Sequence, residues 1–180
     1  MSFPLDDVLD GFEADPASVS YADALAACRH RFGEPVLGGQ GYAVFRTPWE
    51  SDPRLSVLSV RGKVKPFQLA VIVRALRRDD TPSPLPPAPE RSAGSEDSEW
   101  IYSHYVGWDG VNKVHISGVE EFPSLTWCGP FHGRALYGIQ DLTERVVKQM
   151  QQAGEPVPPP AMEIPASRAA RALRALFGRD

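Results

Sequence analysis

Gly39-Gln40-Gly41-Tyr42-Ala43-Val44-Phe45-Arg46-Thr47-Pro48-Trp49 is the stretch whose reading decides the fold. Its glycines permit positive φ and mark a tight approach to a strand. Tyr42 to Thr47 are mostly β-branched or aromatic, as a strand requires. Pro48 and Pro53 bracket a turn. Leu55 to Val60 reads as a second strand with alternating apolar positions, and a short third strand is expected near Val57–Val60. A basic turn, Arg61-Gly62-Lys63-Val64-Lys65, leads into Pro66, which favours the first turn of a helix over Phe67–Arg78. Leu69, Ile72, Val73 and Leu76 form the apolar stripe of that helix.

Two helices precede the glycines. Leu5, Val8, Leu9 and Phe12 share one face over residues 4–13, and Asp15-Pro16 ends that helix. Ser20 is a suitable N-cap for a helix from Tyr21 to about Arg31, with Leu25, Cys28 and Phe32 on its inner side. Gly33 and Pro35 stop it. A small sheet with helices on one face follows from this order.

Charge is uneven. The chain carries a net charge of −4. Between Gln40 and Arg78, however, eight basic side chains face two acidic ones, whereas Glu90 to Pro165 holds five basic and eleven acidic. The basic stretch suits either a phosphate-binding face or a solvated surface. Opposite signs in the two halves suggest that one docks on the other. No apolar run approaches a membrane span, and the acidic N-terminus lacks a secretory pattern. Cys28 and Cys128 lie far apart without ligand companions and read as reduced thiols of a cytoplasmic protein.

Phe32-Gly33-Glu34-Pro35, the glycines, Val44-Phe45-Arg46-Thr47-Pro48-Trp49, Asp52-Pro53-Arg54 and Gly62-Lys63-Val64-Lys65-Pro66-Phe67-Gln68 together resemble the HicA family of toxins. The resemblance spans roughly residues 5–78. It implies a fold like the double-stranded RNA-binding domain and cleavage of messenger RNA. One position departs from the family pattern, because the catalytic histidine falls on Tyr42. A histidine titrates near neutrality and can take a proton from a ribose hydroxyl, whereas a tyrosine with its ordinary pKa near 10 is a poor base at pH 7. The expectation is therefore RNA or partner binding through Arg46, Arg61, Lys63 and Lys65, with Tyr42 at the former catalytic position and little or no ribonuclease turnover.

Asp79 to Pro89 is too rich in proline for a helix or central strand, and residues 80–98 read as an extended spacer. Beyond it the pattern changes to strands. Glu99 to Val106 alternates, Asp109-Gly110 marks a turn, and Val111–Val119 and Phe122–Trp127 follow as strands. Arg134 to about Ala153 is an amphipathic helix with Leu136, Ile139, Leu142, Val146, Val147 and Met150 inward. Gly154 ends it.

Glu121-Phe122-Pro123-Ser124-Leu125-Thr126-Trp127, Ala135-Leu136-Tyr137-Gly138-Ile139 and the helix running into Gly154-Glu155-Pro156-Val157-Pro158 resemble the HicB family of antitoxins over roughly residues 99–160. That resemblance implies a partial ribonuclease H-like core that blocks the toxin. No cluster of carboxylates suited to metal catalysis is seen. His104, His115 and His132 lack ligand spacing, so neither a metal nor another cofactor is expected. Ser167 to Gly178 reads as a short basic helix. One helix alone does not make a ribbon-helix-helix or helix-turn-helix module, so operator DNA is not an expected partner.

The expected architecture is α+β in two small domains. Residues 1–79 form a toxin-like α/β sandwich, 80–98 the Pro-rich linker, 99–160 an antitoxin-like βββα domain, and 161–180 the basic tail. The expected function is a fused toxin–antitoxin protein whose second domain covers the RNA face of the first. That contact lies within one chain or is exchanged in a homodimer. The alternative is a non-catalytic decoy that regulates a separate toxin or antitoxin in trans.

Overall fold

The computed structural model describes residues 5–78, 99–160 and 162–164, with side chains omitted at 99–101 and 162–164. The expected linker and tail helix lie outside the described residues. The chain is mixed α+β, with four helices and two three-stranded antiparallel sheets among the described residues.

The first half runs α1 (Leu5–Ala14), α2 (Tyr21–Phe32), β1 (Leu37–Gly39), β2 (Tyr42–Arg46), β3 (Arg54–Leu58) and α3 (Pro66–Arg77). Ser20 caps α2 by accepting from the Asp23 amide at 3.1 Å, as its sequence position predicts. The third strand is not where the sequence reading put it. It precedes β2, pairing Leu37 with Val44 and Gly39 with Tyr42, and only an isolated bridge joins Val60 to Lys63. Gly38 and Gly39 are weak strand formers in isolation. The Tyr42 ring, however, lies where a Cβ on Gly39 would sit, so close packing selects glycine there. Gly41, at φ +81°, closes the two-residue turn.

The second half contributes β4 (Glu99–Ile101), β5 (His104–Asp109), β6 (Val114–Val119), β7 (Phe122–Gly129), α4 (His132–Gln152) and β8 (Met162–Ile164). The strand expected from Glu99 is broken at Tyr102-Ser103. Its first piece pairs with β8, an element with no strand signal in the sequence, and its second begins the β5-β6-β7 sheet. Residues 110–113 form a turn, so β6 begins at Val114 rather than Val111. The Asp109 carboxylate accepts from the Val111 and Asn112 amides and from Asn112 Nδ2, which fixes that turn.

Side-chain alternation along β2 and β3 explains how the halves meet. Ala43, Phe45, Leu55 and Val57 point to one face and join a core with all three helices of the first half. Tyr42, Val44 and Leu58 point to the other face. There they share a second core with Val119, Phe122, Leu125, Ile139, Leu142, Val146 and Met150. The central strands of the first half are thus buried on both faces, and the second face is completed by the second half.

Candidate functional site

The face of β2–β3 that carries Tyr42 is the candidate site, and it is covered. Tyr42 is buried. Its hydroxyl accepts from Arg145 Nη1 at 2.7 Å, the Arg145 guanidinium lies 5.2 Å from the ring centroid, and Trp127 meets the ring edge-on at 5.8 Å. Trp127 itself lies across Gly138 of α4, where a Cβ would strike the indole. Trp127 therefore stands between Gly138 and the Tyr42 ring and closes the site there.

Arg54 sits further along the same face and is fully buried. Its guanidinium donates to the Pro53 carbonyl at 2.8 Å, to Gln149 Oε1 at 2.8 Å and to Glu155 Oε2 at 2.6 Å. Arg46 reaches the other Glu155 oxygen at 3.5 Å from a largely exposed position. Glu155 follows the left-handed Gly154 at the end of α4, so the helix terminus aims its carboxylate at two arginines of the first half. A buried, hydrogen-bonded ion pair of this kind fixes one arrangement of the two surfaces.

Between these points the open edge of β7 meets β3. The Thr126 amide donates to Ser56 Oγ at 2.9 Å, and that hydroxyl lies 3.0 Å from the Thr126 carbonyl. The Ser124 amide and hydroxyl both donate to the Asp52 carboxylate, at 2.9 and 2.6 Å. Gln68 of α3 accepts from the Leu58 amide and donates to Thr126 Oγ1. Side chains thus satisfy strand edges that would otherwise be open to pairing with another chain.

Burial raises the Asp52 pKa, outweighing the Ser124 hydrogen bonds and the charges of Arg78 and Arg74 that lower it. Because the folded value lies above the unfolded one, the stability Asp52 contributes is present below the unfolded value and is lost as pH rises through the folded value. Wild type is therefore expected to lose stability relative to Asp52→Asn as pH rises from about 4 toward neutrality. Asp52→Ala strands two Ser124 donors and is expected to cost about 1–3 kcal/mol at pH 7. Urea titrations of the three proteins across that pH range measure both effects.

The basic residues expected to form one RNA face are not brought together. Arg46 lies at the far end of β2 from Tyr42, roughly 13 Å away at strand rise. Arg61 (φ +55°) and Lys63 are exposed in the turn after β3, and Lys63 Nζ donates to the Ala17 carbonyl on the helical side. Lys65 is half-buried, and its charge opposes the burial that raises the Cys128 pKa and adds slightly to the lowering of Asp109 that the Asn112 hydrogen bonds dominate. The contact between the halves is also less purely electrostatic than the charge division suggests, since it includes a shared apolar core. One of its acids, Asp52, comes from the basic half, and one of its bases, Arg145, from the acidic half.

Neither thiol is activated. Burial pushes Cys28 up to about 12 and raises Cys128 despite Lys65. His104 contacts Thr143 Oγ1 at 3.3 Å, and burial lowers its pKa against the opposing pull of Glu121. No group of three or more metal-ligating side chains is assembled among the described residues, and no described helix is long and apolar enough to cross a membrane.

Sequence reasoning missed Arg54 as a site residue, together with Asp52, Ser124, Gln149 and Glu155. The available signal was polar residues at alternate positions of strands whose other positions are apolar, namely Arg54-x-Ser56 and Ser124-x-Thr126.

Comparison with protein-family models, with curated proteins and with solved structures finds no match.

Proposed function

We propose that the protein is a self-sealed fusion of a toxin-like and an antitoxin-like half, in which the second half occupies the nucleic-acid face of the first. The supporting observation is the burial of Tyr42 and Arg54 against Arg145, Gln149 and Glu155. The two side chains that a strand face would offer to RNA, an aromatic ring and a guanidinium, are both engaged by one helix and its C-terminal turn. In this reading α4 and Glu155 stand where a bound nucleic acid would lie, with Glu155 in the place of a phosphate. Tyr42 serves packing, because its hydroxyl accepts from a cation within a closed contact and has no room for a substrate hydroxyl.

Competition tests this function. Residues 1–79, labelled with a fluorophore and confirmed folded by circular dichroism, are mixed with labelled single-stranded RNA. Energy transfer is then followed as residues 99–180, carrying Trp108→Ala/Lys113→Ala/Arg134→Ala so that the exposed rings of the second half take up no RNA of their own, are added as a separate chain. The expected result is salt-sensitive RNA binding that the second fragment abolishes, with no cleavage. A stable ternary complex of both fragments with RNA would overturn the assignment.

A further inference from the structure

One end of the second half carries an aromatic and basic surface that the sealed face does not use. Trp108 ends the run His104, Val106, Trp108 on one side of β5. His104 lies against Thr143 of α4, whereas Trp108 remains 56% exposed. Its indole packs on His115 of β6 at 4.8 Å between centroids, and His115 meets His132 of α4 edge-on at 6.0 Å. Phe131, immediately before α4, is 70% exposed, and Tyr137, one turn into the helix and against Gly133, is 72% exposed.

Two exposed basic side chains lie in the segments that carry these rings. Lys113 is exposed in the turn that leads to His115. Arg134 is exposed and packs its backbone on Gly129, the cross-strand neighbour of His115. The first turn of α4 has no acidic residue and no side-chain cap, so its amide dipoles add to the same sign. Two acids lie at the same end: Asp109, whose exposed carboxylate is held in the turn by three hydrogen bonds, and Asp141, one turn beyond Tyr137 and paired with Arg145 at 2.6 Å.

Three exposed rings interleaved with cations, in a half that is otherwise acidic, match the chemistry of an unpaired nucleic-acid strand. Bases stack on the rings and phosphates meet the charges. We infer that the Trp108–Phe131–Tyr137 end of the second half binds single-stranded nucleic acid, with Lys113 and Arg134 holding the backbone. An apolar protein partner is the competing occupant, since Val111 beside Trp108 is 90% exposed, and the charges of Lys113 and Arg134 favour the nucleic acid.

The inference is independent of the proposed role of the first half. Stacking is worth about 1–3 kcal/mol per base, so removal of one platform ring corresponds to a loss of roughly 5- to 150-fold. Binding of the full chain to fluorescent oligo(U) and oligo(dT) 12-mers is measured by anisotropy from 50 to 300 mM salt. The expected result is affinity that falls steeply with salt and drops at least fivefold in Trp108→Ala. A flatter salt slope is expected in Lys113→Ala/Arg134→Ala, and no change in Arg61→Glu/Lys63→Glu, which lies in the other half. Absence of binding at low salt, equal binding by Trp108→Ala, or loss confined to Arg61→Glu/Lys63→Glu would overturn the inference. So would concentration-dependent self-association that Trp108→Ala abolishes, because it would assign the surface to a protein partner.

Discussion

Glu155→Ala is expected to cost about 3–5 kcal/mol of folding stability, a large part of what a domain of this size possesses. Arg54 is inaccessible to water, so removal of its carboxylate partner leaves a buried cation with only the Gln149 and Pro53 oxygens to solvate it. Water cannot replace the lost charge without opening the contact between the halves. A comparison within the same molecule sharpens the test. Arg77 bridges Asp10 at 2.7 Å and Glu13 at 2.8 Å, close to the 2.6 Å of the buried pair, yet it is 44% exposed. Breaking that exposed cluster with Arg77→Ala is expected to cost under about 1 kcal/mol. Replacing both buried partners, as Arg54→Met/Glu155→Leu, is expected to recover much of the loss, because the penalty lies in the unpaired charge and not in the absence of an ion pair. Urea denaturation of these variants at pH 7 gives the comparison. Equal small losses for Glu155→Ala and Arg77→Ala would show that Arg54 is solvated and the contact open.

Val44→Asp is expected to be more damaging still and to unfold both halves together. Val44 is fully buried, and its neighbours on that face include side chains from β6, β7 and α4. A carboxylate there has no partner and must either stay neutral or break the shared core, at a cost of several kcal/mol. The informative readout is where the damage appears. In a Trp49→Phe background the remaining tryptophans, Trp100, Trp108 and Trp127, all belong to the second half, so tryptophan fluorescence and the tryptophan bands of the near-ultraviolet dichroism report on elements that do not contain the substitution. If the two halves share one core, those signals are lost in the same transition as the helical signal of the first half. A native second half beside an unfolded first half would contradict a shared core.

Much of the fold was legible because local signals agreed with tertiary placement. The Ser20 cap, Pro66 at the start of α3, the apolar stripes of α3 and α4 and the Asp109 turn each rest on residues whose preferences act over one or two turns of chain. The misplaced third strand shows the limit. Gly38 and Gly39 have poor strand propensity, and only the Tyr42 ring packed on Gly39 makes a strand sensible there. Likewise, β8 exists by pairing with β4 more than 60 residues away, a contact that no local pattern encodes. The site was legible in part. Tyr42 and Arg46 were marked by their strand, and both lie on the covered face. Arg61, Lys63 and Lys65 were grouped with them by sequence proximity, although the turn after β3 that carries them lies at the Tyr42 end of the sheet, a strand length from Arg46. Arg54 and Glu155 were hidden because a sum of charges cannot tell a buried pair from two solvated ones. Their roles come from a meeting across about 100 positions of sequence, at the junction of two cores.

The seal itself is tested most directly by cutting the chain between the halves. A protease site placed within residues 80–98 allows native cleavage, followed by size-exclusion chromatography in 0.5 M salt, where exposed charge attraction is screened. The shared apolar core and the buried Arg54–Glu155 pair predict that the two fragments co-elute as one folded species and part only in denaturant. Fragments that elute separately while each keeps its native secondary structure would show that the face bearing Tyr42 is free to open, and would contradict the seal.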